Sequence, residues 1–362
     1  MKPIILLLSL FMLSFFAGCN STAKVPPAVE VASVEETFSA PVNSVYFWKT
    51  VFKLNSAELT FLRQHNVGRI YLRMFDVVPG EVERGANAVV PNASVTMNNY
   101  IFQTDQMKVL EFTPVVYITL DALKAMKNAE ETLARNIVTR VKNMCSYYGI
   151  PNVGELQLDC DWTTTTEASF FELCKWVKSN IDKEGLDWRL SSTIRLHQLA
   201  RTPPPVDCGV LMVYNTGSFD NPDSSNSILD PYDVEPYLKY LRRYRIPLNI
   251  ALPTYSWQLR FHNRKFCGLT DGLELEDSTS FSQRTHNTFE ALNDIPHRNT
   301  IIRRGDIIRH EDSQYSHIME VKNAIEKRMN GRQHSVILYH LDASNLSKYT
   351  TNEISSMFST HP

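Results

Sequence analysis

The chain has 362 residues, 43% of them hydrophobic and 21% charged, a composition that excludes disorder and a polytopic membrane protein. Thirteen Gly and eighteen Pro are too few for a collagenous or linker-dominated chain. Thirty-seven Lys and Arg against 39 Asp and Glu leave a formal charge of −2, so no basic excess is free to neutralise nucleic acid, which is not an expected partner.

Lys2 precedes an apolar run over residues 4–16, interrupted only by serines, and Ala17, Gly18 and Cys19 follow. The run has the length of a signal-peptide core and is shorter than the roughly 20 residues of a spanning helix. Phe16-Ala-Gly-Cys19 resembles the lipobox of bacterial lipoproteins. The resemblance implies a signal peptide over 1–19, lipidation of Cys19 and a place on the bacterial cell envelope, at the outer membrane, with the face left open. The membrane is then a partner through lipid alone. A secretory signal with an incidental cysteine is the alternative. Residues 20–42 have no periodicity and read as a flexible tether. Cys145, Cys160, Cys174, Cys208 and Cys267 are odd in number and lack metal-ligand spacing, so buried thiols are expected rather than a disulfide framework.

Residues 43–362 read as one domain in which apolar runs alternate with amphipathic helical stretches. Residues 45–48 are the first strand, followed by a helix over 56–65 with Ser56 as its cap. Residues 70–75 are the second, with a Gly-, Pro- and Asn-rich loop behind them. The third, 112–120, precedes a long helix over 121–148, and the fourth, 156–162, precedes a helix around 170–181. Runs at 190–196, 209–214, 248–252 and 336–341 complete eight. Eight such units predict an α/β fold, a (β/α)8 TIM barrel. The rhythm breaks over 258–314, a polar stretch predicted as an insertion in the seventh βα loop, beside the site. Arg260, Arg264, Arg303 and Arg304 are there for acidic or hydroxyl-rich ligands. A doubly wound open sheet is the alternative, but no Gly-x-Gly-x-x-Gly follows any strand.

The fourth strand carries the functional signal. Side chains alternate along a strand, so Leu156, Leu158, Cys160 and Trp162 share an outward apolar face, while Glu155, Gln157, Asp159 and Asp161 point into the lumen. Barrel interiors are filled by branched apolar residues and unpaired buried charge is costly, so four inward polar groups imply a purpose. Asp161 stands nearest the C-terminal end, where barrel enzymes keep catalytic groups, with Asp159 about 6–7 Å deeper. Trp48 ends strand one and Arg73 lies on strand two. Arg195 and His197 share a face of strand five. Tyr214 and Asn215 end strand six, Tyr255 and Trp257 lie just beyond strand seven, and Tyr339 and Asp342 end strand eight.

Carboxylates ringed by Trp and Tyr suit sugars, whose C–H faces stack on rings while their hydroxyls meet acids and amides. Asp159 and Asp161 are the catalytic candidates, and the aromatics, Gln157, Arg73, Arg195, His197, Asn215 and Asp342 the substrate contacts. For Arg73 and Asp159 an internal ion network that satisfies only itself is the alternative. No His-Glu-x-x-His and no Cys/His cluster occurs, so neither metal nor cofactor is expected.

These residues also resemble a known family. Leu158-Asp-Cys-Asp-Trp162 is similar to the fourth-strand motif D-x-x-D-x-D-x-E of chitinase-type, family-18 glycoside hydrolases. Met212-Val-Tyr-Asn215 is similar to their Met-Thr-Tyr-Asp, and the run ending Leu252-Pro-Thr-Tyr255 to their Leu-Pro-x-Tyr-Gly. The likeness spans most of 43–345 and extends to uncharacterised hydrolase-like barrels of bacterial lipoproteins. The departures matter as much. The family's catalytic Glu falls on Thr163, its first Asp on Leu156 and its sixth-strand Asp on Asn215. Asp161 and Tyr214 match the pair that orients the substrate in that family, and the acid is missing.

Two functions stay open. One is a glycoside hydrolase with a shifted pair, in which Asp161 is the acid and Asp159, Asp342, Glu274 or Glu276 the second carboxyl within about 10 Å. The other is a catalytically silent glycan-binding barrel. The N-terminal reading yields a direct test: Cys19→Ala should move the protein from the detergent phase to the aqueous phase on partitioning, and unchanged partitioning would refute lipidation.

Overall fold

A computed structural model describes residues 40–81 and 88–360; Cys19 and most of the expected tether lie outside the described residues. Eight parallel strands carry the fold: β1 (Ser44–Phe47), β2 (Arg69–Pro79), β3 (Glu111–Ile118), β4 (Glu155–Asp159), β5 (Arg189–Arg195), β6 (Cys208–Met212), β7 (Leu248–Pro253) and β8 (Val336–Tyr339). Neighbours in sequence pair in space, and β1 pairs with both β2 and β8, which closes the sheet. The fold is a (β/α)8 TIM barrel. Outward residues such as Leu156, Leu158 and Trp162 are fully buried, and Trp162 packs on Phe170 and Phe171 of the helix Glu167–Lys183.

Local chemistry sets the helix boundaries. The helix Ser56–Gln64 is capped by Asn55 rather than Ser56. The Asn55 side chain accepts from the Glu58 N–H at 2.9 Å, and the Glu58 carboxylate accepts from the Asn55 N–H at 3.0 Å. The long helix expected over 121–148 is two helices, Leu120–Ala125 and Glu130–Tyr148, because Asn128 between them takes a left-handed φ of 69°. The second ends at Gly149, whose φ of 67° turns its N–H back onto the Cys145 carbonyl.

Between β7 and β8 the polar stretch is folded. Strands Ser256–His262, Lys265–Thr270, Phe281–Gln283, Thr288–Ala291 and Ile307–Asp312 form an antiparallel sheet with a small core of its own, including Leu273, Phe281 and Ile308. Three of the four arginines expected to await a ligand there are turned to acids: Arg260 Nε donates to Asp306 at 2.7 Å, Arg303 pairs with Asp294 at 3.1 Å, and Arg264 pairs with Asp223 outside the insertion. The cysteines of the described residues are unpaired; four are buried and Cys267 is exposed.

The N-terminal floor of the lumen is ionic. Arg69 binds Glu111 at 2.6 Å and approaches Glu155 at 3.9 Å, while Ser191 donates to Glu155 at 2.6 Å and Arg189 stands 3.4 Å away. Arg69 and Glu155 are both buried. Arg69→Met would leave Glu155 with only Arg189 and Ser191, at a cost of about 3 kcal/mol, the lower end for breaking a buried pair. Denaturant unfolding measures it; an unchanged midpoint would show that the floor network contributes nothing.

Candidate active site at the barrel mouth

Strand β4 raises its polar side chains to successive levels of the lumen, as alternation requires. Above Glu155, Gln157 is fully buried; its Oε1 accepts from Tyr46 Oη at 2.6 Å and its Nε2 donates to Ser191 Oγ at 3.3 Å. Gln157 was expected to meet a substrate, but it is sealed beneath Tyr46 and holds that ring from below. Asp159 lies one level higher and is buried, accepting from Thr193 Oγ1 at 2.7 Å with Arg195 Nη2 at 3.5 Å. Burial pushes the Asp159 carboxyl up, while Arg195 and Thr193 oppose that rise. Asp161 follows the strand end, its side chain 49% exposed and its Oδ1 3.6 Å from Arg195 Nε.

One guanidinium therefore lies across two carboxylates. Burial works against the Arg195 cation, but Asp159 and Asp161 are among the groups that hold it charged. Because one compact guanidinium touches both acids, their facing oxygens lie within roughly 10 Å of each other, the outer limit for the carboxyl pair of a glycosidase.

A bulge supplies a second ion pair. The register of β2 on β3 shifts between Arg73 and Phe75, so Met74 is an extra residue. That lets Arg73 and Asp76, three apart, face the same side: Arg73 Nε donates to Asp76 Oδ1 at 2.8 Å, and the guanidinium lies 5.3 Å from the Trp48 ring.

Tyr339 is the hub of an aromatic wall. Tyr214 stacks on it at 4.7 Å, and Tyr46, Trp48 and Tyr255 lie at 5.7, 5.8 and 5.8 Å. Tyr255 Oη donates to Asn215 Oδ1 at 2.6 Å, and Asn215 holds a φ of 53°. Trp257 meets Tyr255 at 5.4 Å and donates from Nε1 to the buried Glu311 at 2.6 Å, which also accepts from Ser227 at 2.5 Å. Trp48, Tyr117, Trp257 and Tyr339 stay half-buried.

Two expected contacts fall elsewhere. Strand β5 stops at Arg195, and His197 is exposed on the 3-10 turn Leu196–Ala200 rather than on the face Arg195 uses. Asp342 caps the helix Ala343–Leu346 and lies 2.7 Å from Lys49 Nζ. Although burial opposes its charge, Lys49 and Ser344 hold the Asp342 carboxyl well below the usual range. That cap leaves it unsuited to be a second catalytic carboxyl. Glu274 and Glu276 are exposed within the insertion. Thr163, where the resembled family has its acid, is exposed, 3.0 Å from Thr165 Oγ1, with its N–H donating to Thr166 Oγ1 at 2.9 Å.

Sequence reasoning missed Tyr46, Asp76, Tyr117, Thr193 and Glu311. Tyr46 and Thr193 stand two residues before Trp48 and Arg195, and alternation would have found them. Tyr117 is the last inward residue of β3, and the same rule reaches it. Among the described residues no group of three or more His, Cys, Asp or Glu is arranged to hold a metal ion.

The fold is that of the chitinase-like glycoside hydrolases. No protein-family model matches the sequence, and no curated protein does. Among solved structures the chain is similar to a chitinase from Chromobacterium violaceum, with 13% identity, a TM-score of 0.53, and coverage of 88% of this chain and 99% of that one. A chitinase from Bacteroides thetaiotaomicron gives 12% identity and a TM-score of 0.53, over 88% and 97% of the two chains. The Bacillus cereus spore cortex-lytic enzyme SleL gives 12% identity and a TM-score of 0.51, over 89% and 76%. Likeness at this identity establishes the fold; chemistry has to come from the site.

The Asp159–Arg195 pair predicts a pH signature. A carboxyl raised by burial weakens the fold as pH climbs from its ordinary value of about 3.9 through its folded value. Arg195→Met removes the opposing cation and raises the folded value further. The variant should lose about 3–5 kcal/mol at pH 7, the cost of stranding a buried charge, and recover much of it at pH 4, where Asp159 is protonated in the fold. Melts of parent and variant at both pH values check this; an equal penalty at each would refute the pairing.

Proposed function

We propose that the C-terminal mouth of this barrel binds a carbohydrate and does not hydrolyse it by the chitinase mechanism. The observation that carries the reading is the Arg195 guanidinium lying across Asp159 and Asp161, with Thr163 in the acid's place. Glycoside hydrolysis passes through an oxocarbenium-like transition state, and a fixed cation beside the sugar opposes that charge. Binding has no such requirement. The half-buried rings of Trp48, Tyr117 and Trp257 are the candidates for stacking, and the exposed edge of Asp161 accepts from sugar hydroxyls. The residues ascribed to the site sit at or beyond the C-terminal ends of β1 and β3 to β8, where barrels build their sites.

Hydrolysis by Asp161 with Asp159 as partner is the second reading, and the spacing set by the shared guanidinium favours it. We infer further that the chain is a lipoprotein held at the outer membrane of a bacterial cell envelope through Cys19, on the strength of the apolar run and Ala-Gly-Cys. Among the described residues no helix is long and apolar enough to cross a membrane.

Calorimetry and product analysis with oligosaccharides of chitin, cellulose, xylan and peptidoglycan separate the readings. The parent should bind at least one without turnover, and Asp161→Asn should weaken that binding about tenfold with an unchanged melt. Turnover by the parent that falls about 10²–10⁴-fold in Asp161→Asn would establish the second reading instead. A parent that binds none of them would overturn both.

A further inference from the structure

A groove of about 920 Å³ runs along the flank of the barrel, between the outer stripe of the helix Glu130–Tyr148 and the segment 91–96. We propose that it is a second saccharide site and that its ligand is an acidic oligosaccharide, one carrying carboxylates or sulfates. The proposal takes its class of ligand from the carbohydrate reading but does not depend on the mouth. The volume is in the range of small-ligand sites.

The chemistry of the walls selects the ligand. Arg135, Asn136, Thr139, Arg140, Asn143 and Tyr147 follow one another at helical spacing along one wall, and Ser94 and Thr96 stand on the other. A solvated barrel helix ordinarily mixes Lys with Glu on its outer face. Beside the apolar Val95 and Met144, this stripe has two guanidiniums, two amides and two hydroxyls, and among the described residues no carboxylate lines either wall. Its charge is therefore positive and complements an anion.

Arg140 is held ready. Its Nη2 donates to Ser94 Oγ at 3.0 Å and its guanidinium lies 5.0 Å from the Phe75 ring. A guanidinium preset in this way suits a carboxylate or sulfate oxygen. Tyr147 is 73% exposed, and Tyr148 packs edge-on against it at 4.9 Å. Tyr100, 72% exposed, belongs to a neighbouring turn that Asn99 ties to the Tyr147 carbonyl at 3.2 Å. Rings that stack on sugar faces, amides that meet hydroxyls and guanidiniums that meet acids thus share one trough.

Calorimetry on the full chain tests the proposal with hexagalacturonate, a chondroitin sulfate hexasaccharide and neutral chitohexaose. At least one acidic probe should bind in a salt-sensitive way. Arg135→Gln and Tyr147→Ala, both at exposed positions, should each weaken it tenfold or more with unchanged melts, while binding persists in Asp161→Asn. Acidic-glycan binding lost in Asp161→Asn and kept in Arg135→Gln would assign it to the mouth and overturn the flank site. Failure of both acidic probes would overturn it too, whatever chitohexaose does at the mouth. Anionic phosphatidylglycerol vesicles that bind through Arg135 while both acidic glycans fail would make a lipid headgroup the occupant and refute a saccharide.

Discussion

A charge inside a closed barrel is costly unless it is paired, and here other side chains supply the pairing. Strand β4 puts acids or amides at every inward position, and the neighbouring strands answer each of them. Glu155 is met by Arg69, Arg189 and Ser191, Gln157 by Tyr46 and Ser191, and Asp159 by Thr193 and Arg195. The partners come from β1, β2 and β5, so the ladder ties strands that the backbone hydrogen bonds join only to their immediate neighbours. Its top rung is the mouth. The same guanidinium that satisfies Asp159 below reaches Asp161 above, where the chain has left the strand and solvent begins.

The inward direction of Glu155, Gln157 and Asp159 was legible in the sequence because it follows from period-two alternation within one strand; their partners on other strands were not. Also legible were Trp48, Arg195, Tyr214, Tyr255 and Tyr339, which lie at strand ends on the right parity. What alternation could not show is where parity fails. Asp76 faces Arg73 only because Met74 is bulged, and nothing in Arg73-Met-Phe-Asp76 announces the bulge. His197 fails in the opposite sense: the strand ends one residue after Ile194, and the 3-10 turn carries the side chain away. Asp342 was placed at the right strand end, but the helix that begins at Ala343 claims one of its oxygens as a cap and Lys49 holds the other.

Glu311 was hidden for a different reason. It lies 54 residues after Trp257, and the two meet only because the insertion folds its last strand back antiparallel on its first, pairing Trp257 with Glu311. Its other oxygen contacts come from Arg309 and from Ser227, in the segment after β6. Three separated stretches of chain thus set the orientation of one indole. Tertiary register of that kind leaves no mark on local periodicity, although it decides which ring stands at the mouth.

The likeness to chitinase structures and the unlikeness of the site are compatible once the demands of catalysis and binding are set apart. A hydrolase needs a group that changes charge during turnover and donors aimed at charge that develops only in the transition state. A permanent counter-ion beside the acid holds its proton off and so works against that role. Of the acids described here, Asp76 is held by Arg73, Asp159 by Arg195 and Glu311 by Arg309, while Asp161 stands 3.6 Å from Arg195 without a hydrogen bond. Fixed pairs cost a binding site nothing comparable. They hold the aromatic walls in place before the ligand arrives, so less order has to be imposed on association. Asp161 is the member of the top rung with half its side chain in solvent, and on the reading proposed above it is there that a hydroxyl would be recognised without any proton changing owner.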